Sequence, residues 1–581
     1  MADMKEEFVN REAIIHLPNL EDTYALTEKE AVIRIRTAQG NLQSITLVYI
    51  DKYRHMFHDY HVYEQSKMKR VASDGQYDFY ESVIHHDVQL IDYYFRLQSQ
   101  DTTICYGNRV FFDESERGMN KYFSMPNIKP DDLFRLPEWT KDAVIYQIFP
   151  DSFYRGDGTD FDDWYRGPRE DDDHLGGTLQ GVIDKLDYIQ SLGANVIYMT
   201  PVFESPANHK YHTTDYYKVD PNFGTKEKFA ELVSLAHARG MRVLLDGVFH
   251  SIGIPFFAFQ DVIEKGTDSD YWDWFLIDGF PIQTDYPINY KSWGRLREMP
   301  NLNLSNPEVT EYLLDVMVYW VQEFDIDGWR LDTVDAMSHA FLREARRRTH
   351  AVKKDCIIGG ELWYDARPWL KEGILDSVMN YPFTNNMGTF FAKNTATPTD
   401  LSHGLGWIRG RYPYQAWTRL WNLLSSHDIV RFLSEANDDV EMMKLAVLFQ
   451  FTYPGTPFIY AGDELGMTGH SLNCRCGLLW DEARQNHDLL AHYQMVGQLR
   501  RENPALVHGD FEEILVSDER GLYGFTRRFD DQEIRVFFNI GLAEQIIEVP
   551  EDSYDLLNES SITIGAITLQ SKSASVLRCK L

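Results

Sequence analysis

Eight short apolar segments, separated by longer stretches that include amphipathic ones, constrain the fold of this chain most. Two of the intervening stretches, Lys226–Arg239 and Val309–Phe324, have the spacing of amphipathic helices. Alternating strands and helices predict parallel βαβ units, and eight such units predict a (β/α)8 TIM barrel of the α/β class. The predicted strands are Ala143–Phe149, Asn195–Thr200, Arg242–Asp246, Ile326–Arg330, Cys356–Gly360, Ser377–Asn380, Leu420–Leu424 and Thr456–Tyr460.

Other patterns flank the barrel. Residues 1–123 contain short alternating segments such as Ala31–Arg36, Ser44–Ile50 and Gln89–Leu97, which predict an N-terminal β-sandwich. Residues 124–138 are a predicted linker, and 139–503 form the predicted barrel. The gap between its third and fourth strands is too long for one helix, which predicts a small inserted domain at 250–302. Alternation returns in 504–581, including Glu533–Asn539, and predicts a C-terminal β-sandwich.

Composition narrows the function. The 581 residues carry 57 Lys and Arg against 89 Asp and Glu, a net charge of −32. This excess repels phosphate backbones and anionic lipids, so neither nucleic acid nor a membrane is an expected partner. Five cysteines without a regular framework favour a reducing compartment. The N-terminus lacks the apolar core of a signal peptide, and we therefore predict a cytoplasmic location.

Charged residues follow the predicted barrel strands. Asp246 ends the third strand, Arg330 and Asp332 end the fourth, Glu361 follows the fifth, and His427-Asp428 follows the seventh. In a barrel of this type, side chains beyond the strand ends converge on one mouth. Alternation places Arg330 and Asp332 on the same face, where the guanidinium can hold the carboxylate ionised. Taken alone, this pair is better explained as a structural salt bridge at a strand end.

The clustered carboxylates predict acid–base chemistry. Mutual repulsion raises the pKa of at least one carboxyl group, which suits a general acid at neutral pH. A retaining glycosidase needs two carboxyl groups about 5–5.5 Å apart, and the adjacent fourth and fifth strands place Asp332 and Glu361 at that order of separation. A metal site is the rival interpretation, but Arg330 would repel a cation.

Four stretches carry a family resemblance. Asp246–His250, Gly328–Asp332, Gly360–Trp363 and Ser425–Asp428 resemble, in this order, the four signature regions of the α-amylase superfamily, glycoside hydrolase family 13. Met299–Asn303 is similar to the additional signature of its neopullulanase, cyclomaltodextrinase and maltogenic amylase group. The N-terminal segment resembles starch-binding module family 34.

The resemblance implies double displacement on α-1,4-glucans. It implies that Asp332 is the nucleophile, that Glu361 is the general acid and base, and that Asp428 completes the catalytic triad. It also implies substrate contacts, with an aromatic ring below the reacting sugar at Tyr211 and an acceptor-side ring at Trp363. The remaining substrate-binding residues that it implies are Asp246, His250, Arg330, His427 and Arg475.

The chain departs from the family pattern at several positions. His250 and Ser251 stand where Asn and His are usual, and Ala336 stands where the group has a Glu tied to acceptor handling. Asp335 replaces an Asn, and Asn473 replaces the Asp two residues before Arg475. In the loop where relatives hold calcium, Arg155 replaces Asn and Thr178 replaces Asp. We therefore expect no required cofactor; the remaining calcium candidates are Asp157, Asp160 and Asp162, although Asp-Gly is equally a turn signal.

The leading hypothesis is an intracellular hydrolase of short maltooligosaccharides, with α-1,6 bonds, cyclodextrins and pullulan as further candidates. The resemblance also implies a homodimer in which the N-terminal sandwich covers a neighbouring subunit's active site. Two alternatives remain open: a transglycosylating α-glucanotransferase, and a non-catalytic glucan-binding protein suggested by the change at Ser251.

Overall fold

All eight predicted barrel strands form. A computed structural model describes residues 9–18, 21–53, 63–85, 90–125, 127, 133–156, 162–165, 167, 170, 172–370, 373–549 and 551–579. The strands are parallel, and every strand residue except Arg242 at the start of β3 is buried, which explains their continuous apolar runs. They are β1 (Ile145–Ile148), β2 (Val196–Met199), β3 (Arg242–Gly247), β4 (Gly328–Leu331), β5 (Ile357–Gly360), β6 (Ser377–Val378), β7 (Trp421–Leu423) and β8 (Thr456–Tyr460).

The sheet closes on itself. Its strand order is β6-β5-β4-β3-β2-β1-β8-β7, and a parallel bridge between Met379 and Trp421 joins the two ends. The barrel prediction is therefore confirmed. Helices of the chain from 162 onward are Asp162–Tyr165, Leu179–Asp184, Leu186–Ser191, Lys226–Ala238, Phe257–Lys265, Pro307–Phe324, His339–Val352, Tyr381–Met387, Pro398–Arg411, Tyr414–Trp417, Phe432–Glu435, Val440–Thr452, His487–Glu502 and Pro504–His508, with a π-turn at Gly388–Ala392.

The residues at the two ends of helix Pro307–Phe324 fix where the helix begins and ends, and so where β4 begins. The Asn306 side chain caps its N-terminus by accepting hydrogen bonds from two backbone N–H groups, and Pro307 occupies the first turn, where no N–H partner is needed. The helix ends at Asp325 in a left-handed conformation, and β4 begins three residues later. Trp320 on its buried face is fully enclosed, which fixes the helix against the barrel.

Residues 250–302, the predicted insertion between β3 and β4, contain little regular structure. Phe257–Lys265 is helical, and isolated antiparallel bridges join Ser251 to Asn301 and Phe275 to Leu302. These bridges bring the two ends of the segment together next to the end of β3. A two-stranded sheet, Phe203–Glu204 with Asp215–Val219, follows β2.

The C-terminal residues form two antiparallel sheets. Side chains from both sheets, among them Leu522, Phe537, Val549 and Leu569, share one apolar core, as in a sandwich. One sheet has the order Asp510–Ser517, Leu522–Phe529, Gln532–Asn539, Ser573–Cys579, Ser553–Asp555, Ser560–Ile562, and the other pairs Gln545–Val549 with Gly565–Leu569.

The chain divides into two compact units. The first comprises residues 1–135 together with 367–373 and 399–417, and the second contains the barrel and the C-terminal sheets. The first unit packs two antiparallel sheets around buried side chains such as Ile33, Leu47 and Phe95. Its strands are Thr23–Thr27, Glu30–Ala38, Tyr77–His85 and Lys69–Ser73 in one sheet, and Glu64–Lys67, Ser44–Asp51, Ile91–Gln98, Thr103–Gly107, Val110–Phe112 and Phe123–Met125 in the other. The domain boundaries read from the sequence remain predictions.

Among the residues that the structure describes, no helix is long and apolar enough to cross a bilayer.

Candidate active site

Arg330 contacts three carboxylates at the mouth of the barrel. Asp246 on β3 and Arg330 on β4 are register partners, so their side chains leave the sheet at the same height. The fully buried Arg330 donates from Nη1 to both oxygens of Asp246, at 2.9 and 3.0 Å, and to Asp332 Oδ1 at 2.7 Å. Its Nη2 lies 3.1 Å from Glu361 Oε2. One cation therefore serves three carboxylates, which is the arrangement that makes their burial tolerable.

Asp332 and Glu361 lie side by side. Each follows the last residue of its strand, and the Glu361 N–H donates to Leu331 O at 2.9 Å, which continues the pairing of β4 and β5. Thr333, which directly follows Asp332, has a left-handed backbone with φ of 46°, a strained conformation for a β-branched residue. This turn aims the Thr333 N–H at Glu361 Oε2, at 3.0 Å. This hydrogen bond holds the carboxyl group of Glu361 beside that of Asp332.

His427 and Tyr211 stack against each other at one side of the barrel mouth. The two rings stack with an interplanar angle of 9°, and Tyr211 Oη lies 2.6 Å from His427 Nε2. Tyr211 Oη donates to Asp246 Oδ2 at 2.9 Å, and Gln147 Nε2 donates to His427 Nδ1 at 2.7 Å. Burial, followed by the charges of Arg475 and Arg330, lowers the pKa of His427 well below its usual value, so the ring is neutral. These contacts assign its proton to Nε2.

The loop that carries Tyr211 is held by a buried ion pair. The preceding residue, Lys210, has a positive φ of 63°, and its Nζ lies 3.0 Å from Asp220 Oδ2. Both side chains are almost completely enclosed. Removing either partner would leave the other charge buried and unpaired. The position of the Tyr211 ring therefore depends on a contact outside the mouth itself.

Asp428 and Arg475 meet on the same side as His427. Arg475 donates from Nη2 to Asp428 Oδ1 at 3.2 Å and from Nε to the backbone carbonyl of His427 at 2.9 Å. Burial, and then the charge of Glu361, raises the pKa of Asp428 to about 6. Arg475 belongs to the short turn Ser471–Arg475, which brings a residue distant in sequence to β7.

A cavity of about 530 Å³ opens over these groups. Trp363 borders it, with its ring stacked on Tyr381 at a centroid distance of 3.9 Å and its Nε1 donating to Glu361 Oε1 at 3.0 Å. The volume is of the size that holds a small ligand. The lining residues are His209, Tyr211, His212, Trp293, Leu296, Met299, Asp332, Thr333, Asp335, Glu361, Leu362, Trp363, Asp428 and Arg475.

Burial dominates the acidity of the two adjacent carboxyl groups. It raises the pKa of Asp332 to about 6 against the opposing effect of Arg330, and Asp246 and Asp428 add to the rise. Burial also raises the pKa of Glu361, and the neighbouring Asp332 raises it further. At neutral pH Asp332, with a pKa of about 6, is mainly ionised. The raised pKa of Glu361 favours its protonated form. This is the division of roles that a carboxylate pair needs in glycoside cleavage.

His250 lies behind this pair. It is 4% exposed, and its Nδ1 is 3.8 Å from Asp332 Oδ2. Among the described residues, neither ring nitrogen has a hydrogen-bond partner. Burial lowers the pKa of His250 to about 4, which leaves the ring neutral. The buried hydroxyl of Ser251 likewise has no partner in the described part of the chain.

The structure thus brings together all ten residues predicted for catalysis and substrate binding. Sequence reasoning missed Tyr198, whose Oη donates to Asp246 Oδ2 at 2.6 Å, and Gln147, which orients His427. A polar side chain in the otherwise apolar β1 was the available signal for Gln147. Nothing local marked Tyr198, because an aromatic residue in a buried strand is ordinary core.

The predicted calcium candidates receive no structural test. Asp157 and Asp160 lie outside the described residues, as does the side-chain environment of Asp162, which begins a short helix. Within the described residues, one group of three ligand-type side chains has its ligand atoms within 4.8 Å of one another, formed by Glu533, Glu551 and Cys579 in the C-terminal sheets. Arginines already occupy both oxygens of Glu533, at 2.6 and 2.8 Å, so this group is an ion-pair cluster.

Comparisons with known proteins agree with this geometry. Residues 147–505 match the family model described as alpha amylase, catalytic domain, and 9–129 match alpha amylase, N-terminal ig-like domain. The chain is 39% identical to a maltogenic alpha-amylase of Bacillus acidopullulyticus over 91% of its length and 92% of the relative's. It is 36% identical to an intracellular maltogenic amylase of Bacillus subtilis, over 94% and 93%. A solved cyclomaltodextrinase superimposes with a TM-score of 0.92 at 36% identity, over 97% of this chain and 99% of the other.

Proposed function

Because the chain belongs to the α-amylase family and is a retaining hydrolase of α-glucans, we propose that Asp332 and Glu361 perform its double displacement. Asp332 attacks the anomeric carbon as the glycosidic C–O bond breaks, and the proton of Glu361 passes to the leaving oxygen. Glu361, now a carboxylate, takes a proton from water. The water oxygen then bonds to the anomeric carbon and releases Asp332.

The observation that carries this assignment is the shared guanidinium. Arg330 holds Asp332 on one terminal nitrogen, at 2.7 Å, and has Glu361 at 3.1 Å from the other. Two carboxyl groups on adjacent nitrogens of one guanidinium have the close spacing that retention requires. Arg330 engages Oδ1 of Asp332, which leaves Oδ2 as the attacking atom.

The other residues of the mouth bind the sugar on the glycone side. Asp428 and Arg475 present a carboxylate and a cation to sugar hydroxyls, and the neutral His427 backs this side with its two ring nitrogens engaged by Gln147 and Tyr211. The exposed ring of Trp363 offers a flat face to a sugar beyond the cleaved bond. His250, whose Nδ1 lies 3.8 Å from Asp332 Oδ2, stands in for the histidine that is usual one position later.

The test is the Asp332→Asn variant with maltotriose. Loss of the nucleophile should lower kcat by several orders of magnitude while circular dichroism and chromatographic behaviour stay those of the parent. Glu548→Gln, an exposed carboxylate in the C-terminal sheets, is the matched control and should retain full activity. Parent-like turnover by Asp332→Asn would refute the assignment.

Substrate preference needs a direct comparison. We propose maltooligosaccharides as the main substrates, with cyclodextrins and pullulan as further ones. Products from β-cyclodextrin, pullulan and maltotriose, measured side by side, distinguish cleavage of α-1,4 bonds from cleavage of α-1,6 bonds. Products longer than maltotriose would instead identify a glucanotransferase.

No cofactor is required under this proposal, because carboxyl groups supply both the nucleophile and the acid. Exhaustive dialysis against a chelator should leave kcat with maltotriose unchanged. A loss of activity that added calcium restores would assign a role to the region of Asp157, Asp160 and Asp162.

We also propose a cytoplasmic homodimer that associates through the N-terminal unit. All five cysteines are free thiols, which fits a reducing compartment. The name of the intracellular Bacillus subtilis relative supports the same location. Light scattering should give twice the 67.8 kDa of one chain; the mass of one chain would contradict the dimer.

A further inference from the structure

Another cavity lies in the C-terminal sheets and has no part in the chemistry described above. Its volume of about 490 Å³ is close to the roughly 530 Å³ of the cavity over Asp332 and Glu361, and among the described residues the two share no lining residue. A volume of this size holds a small ligand. Its lining comes from four places in the chain, 531–532, 552–554, 561–563 and 578–579. The C-terminal sheets therefore contain a separate place where a ligand can bind.

Three neighbouring strands place a row of polar side chains along this cavity. Tyr554 pairs in register with Arg578 on one neighbouring strand and with Ser561 on the other, so the three side chains leave the same face of the sheet. The guanidinium of Arg578 lies over the Tyr554 ring, with Cζ 5.6 Å from the ring centroid. This contact orders an arginine that is otherwise exposed.

The fold does not use the polar groups of this row. In the described part of the chain, the Arg578 guanidinium contacts the Tyr554 ring and donates no hydrogen bond. The hydroxyl groups of Tyr554 and Ser561 likewise have no hydrogen-bond partner among the described residues. Polar atoms that line a cavity and have no partner within the protein are available to a ligand.

The charges at the cavity favour a neutral ligand. Asp531 and Asp552 contribute two carboxylates to the lining, and Arg578 contributes one guanidinium. Asp552 Oδ1 accepts from the Ile564 N–H at 3.0 Å, which fixes the position of that carboxylate. The excess of negative charge, on a chain with a net charge of −32, disfavours an anion. Carboxylate acceptors beside guanidinium and hydroxyl donors match a ligand rich in hydroxyl groups, which both donate and accept.

We propose that this cavity is an accessory binding site for α-glucan chains. The choice of ligand rests on the function assigned above. The Arg578 guanidinium and the Tyr554 hydroxyl donate to sugar hydroxyls, and Asp531 accepts from them. The apolar part of the Tyr554 ring contacts the carbon face of a glucose unit. A glucan held at this site stays near the enzyme between cleavage events, which raises its effective concentration at the barrel mouth.

Hydrogen–deuterium exchange locates the binding. The probe is maltoheptaose, added to the Asp332→Asn enzyme so that the chain is not cleaved. We expect slower exchange in peptides from 551–563 and 573–579, in addition to peptides around residue 332. In the same background, Arg578→Gln should raise the maltoheptaose concentration for half-maximal protection of the C-terminal peptides at least about 10-fold, the size of losing a hydrogen bond to a charged group. Tyr554→Phe should raise it about 2- to 10-fold, the size of losing a neutral hydrogen bond.

Two controls accompany these variants. Glu548→Gln, in the other C-terminal sheet, should leave the half-maximal concentration unchanged. Circular dichroism and the melting temperature show whether each variant is folded, and both substituted side chains are at least partly exposed. Protection by maltoheptaose that is confined to the barrel mouth would overturn the proposal. Equal half-maximal concentrations with and without Arg578→Gln and Tyr554→Phe would overturn it as well.

Inorganic phosphate is the competing probe. Protection of the same peptides by phosphate and not by maltoheptaose would overturn the proposal and assign the cavity to an anion. Failure of the proposed function is a separate result, because it is measured as the inability of the parent enzyme to cleave maltotriose. Exchange in the C-terminal sheets does not depend on that turnover.

Discussion

Replacing Arg330 should raise the pH below which the enzyme loses activity. Asp332 must be ionised to attack, so kcat/KM falls as the pH drops through its pKa, which burial sets at about 6 with Arg330 in place. The 2.7 Å bond from Nη1 to Asp332 Oδ1 stabilises the ionised form. A hydrogen bond to a charged group is worth about 1.5–3 kcal/mol. At about 1.36 kcal/mol per pKa unit, its loss raises the pKa of Asp332 by roughly one to two units.

The acid limb of the profile should therefore move from about pH 6 toward pH 7–8 in Arg330→Gln. Arg330→Lys should move it less, because an ammonium keeps the charge but cannot fork between carboxylates. The assay is kcat/KM against pH with α-maltosyl fluoride, whose leaving group needs no proton from Glu361. This choice separates the acid limb from the titration of the general acid.

Folding must be checked alongside, because removing one partner of a buried ion pair costs about 3–5 kcal/mol. Circular dichroism across the same pH range identifies the conditions in which each variant is native. If both variants are folded and their acid limbs coincide with that of the parent, Arg330 does not hold Asp332 ionised. A shift to lower pH would refute the reasoning equally.

Three further predictions concern neighbouring groups. Asp332→Asn should be more heat-stable than the parent at pH 7. A folded-state pKa of about 6 against 3.8 means that ionisation of Asp332 lowers the free energy of unfolding by up to about 3 kcal/mol above pH 6. Differential scanning calorimetry should show the difference in stability closing near pH 4, and a difference independent of pH would contradict this origin. Glu361→Gln should lose far more activity on maltotriose than on α-maltosyl fluoride in initial-rate assays, and equal losses would exclude it as the acid. His250→Gln should lower kcat/KM without moving the acid limb, since a pKa of about 4 keeps the ring neutral; a shifted limb would show that His250 controls the charge of Asp332.

Much of the barrel could be predicted from the chain because its signals are local. Buried parallel strands require continuous apolar runs, and polar residues that end such runs must face a cavity or be paired. Asp332, Glu361 and Asp428 were identified for that reason, and the structure places them around one mouth. The order of the eight strands follows from the repeated connection, which allows few other topologies.

The contacts that complete the site could not be predicted, because they join residues distant in sequence. Gln147 orients His427 across 280 positions, and Tyr198 reaches Asp246 from the neighbouring strand. The left-handed Thr333 and the link between Tyr364 and Asp335 depend on turns whose conformations are set by packing around them.

By itself, then, the sequence determined which side chains end the strands and what chemistry those groups allow, because the period of a strand and the cost of a buried charge are properties of short segments. The tertiary structure alone decided which carboxyl groups share the cation of Arg330. Arg330 contacts three carboxylates because the parallel pairing of β3, β4 and β5 brings the ends of these strands together. The acidity of each carboxyl group follows from that enclosure, a property of the whole fold.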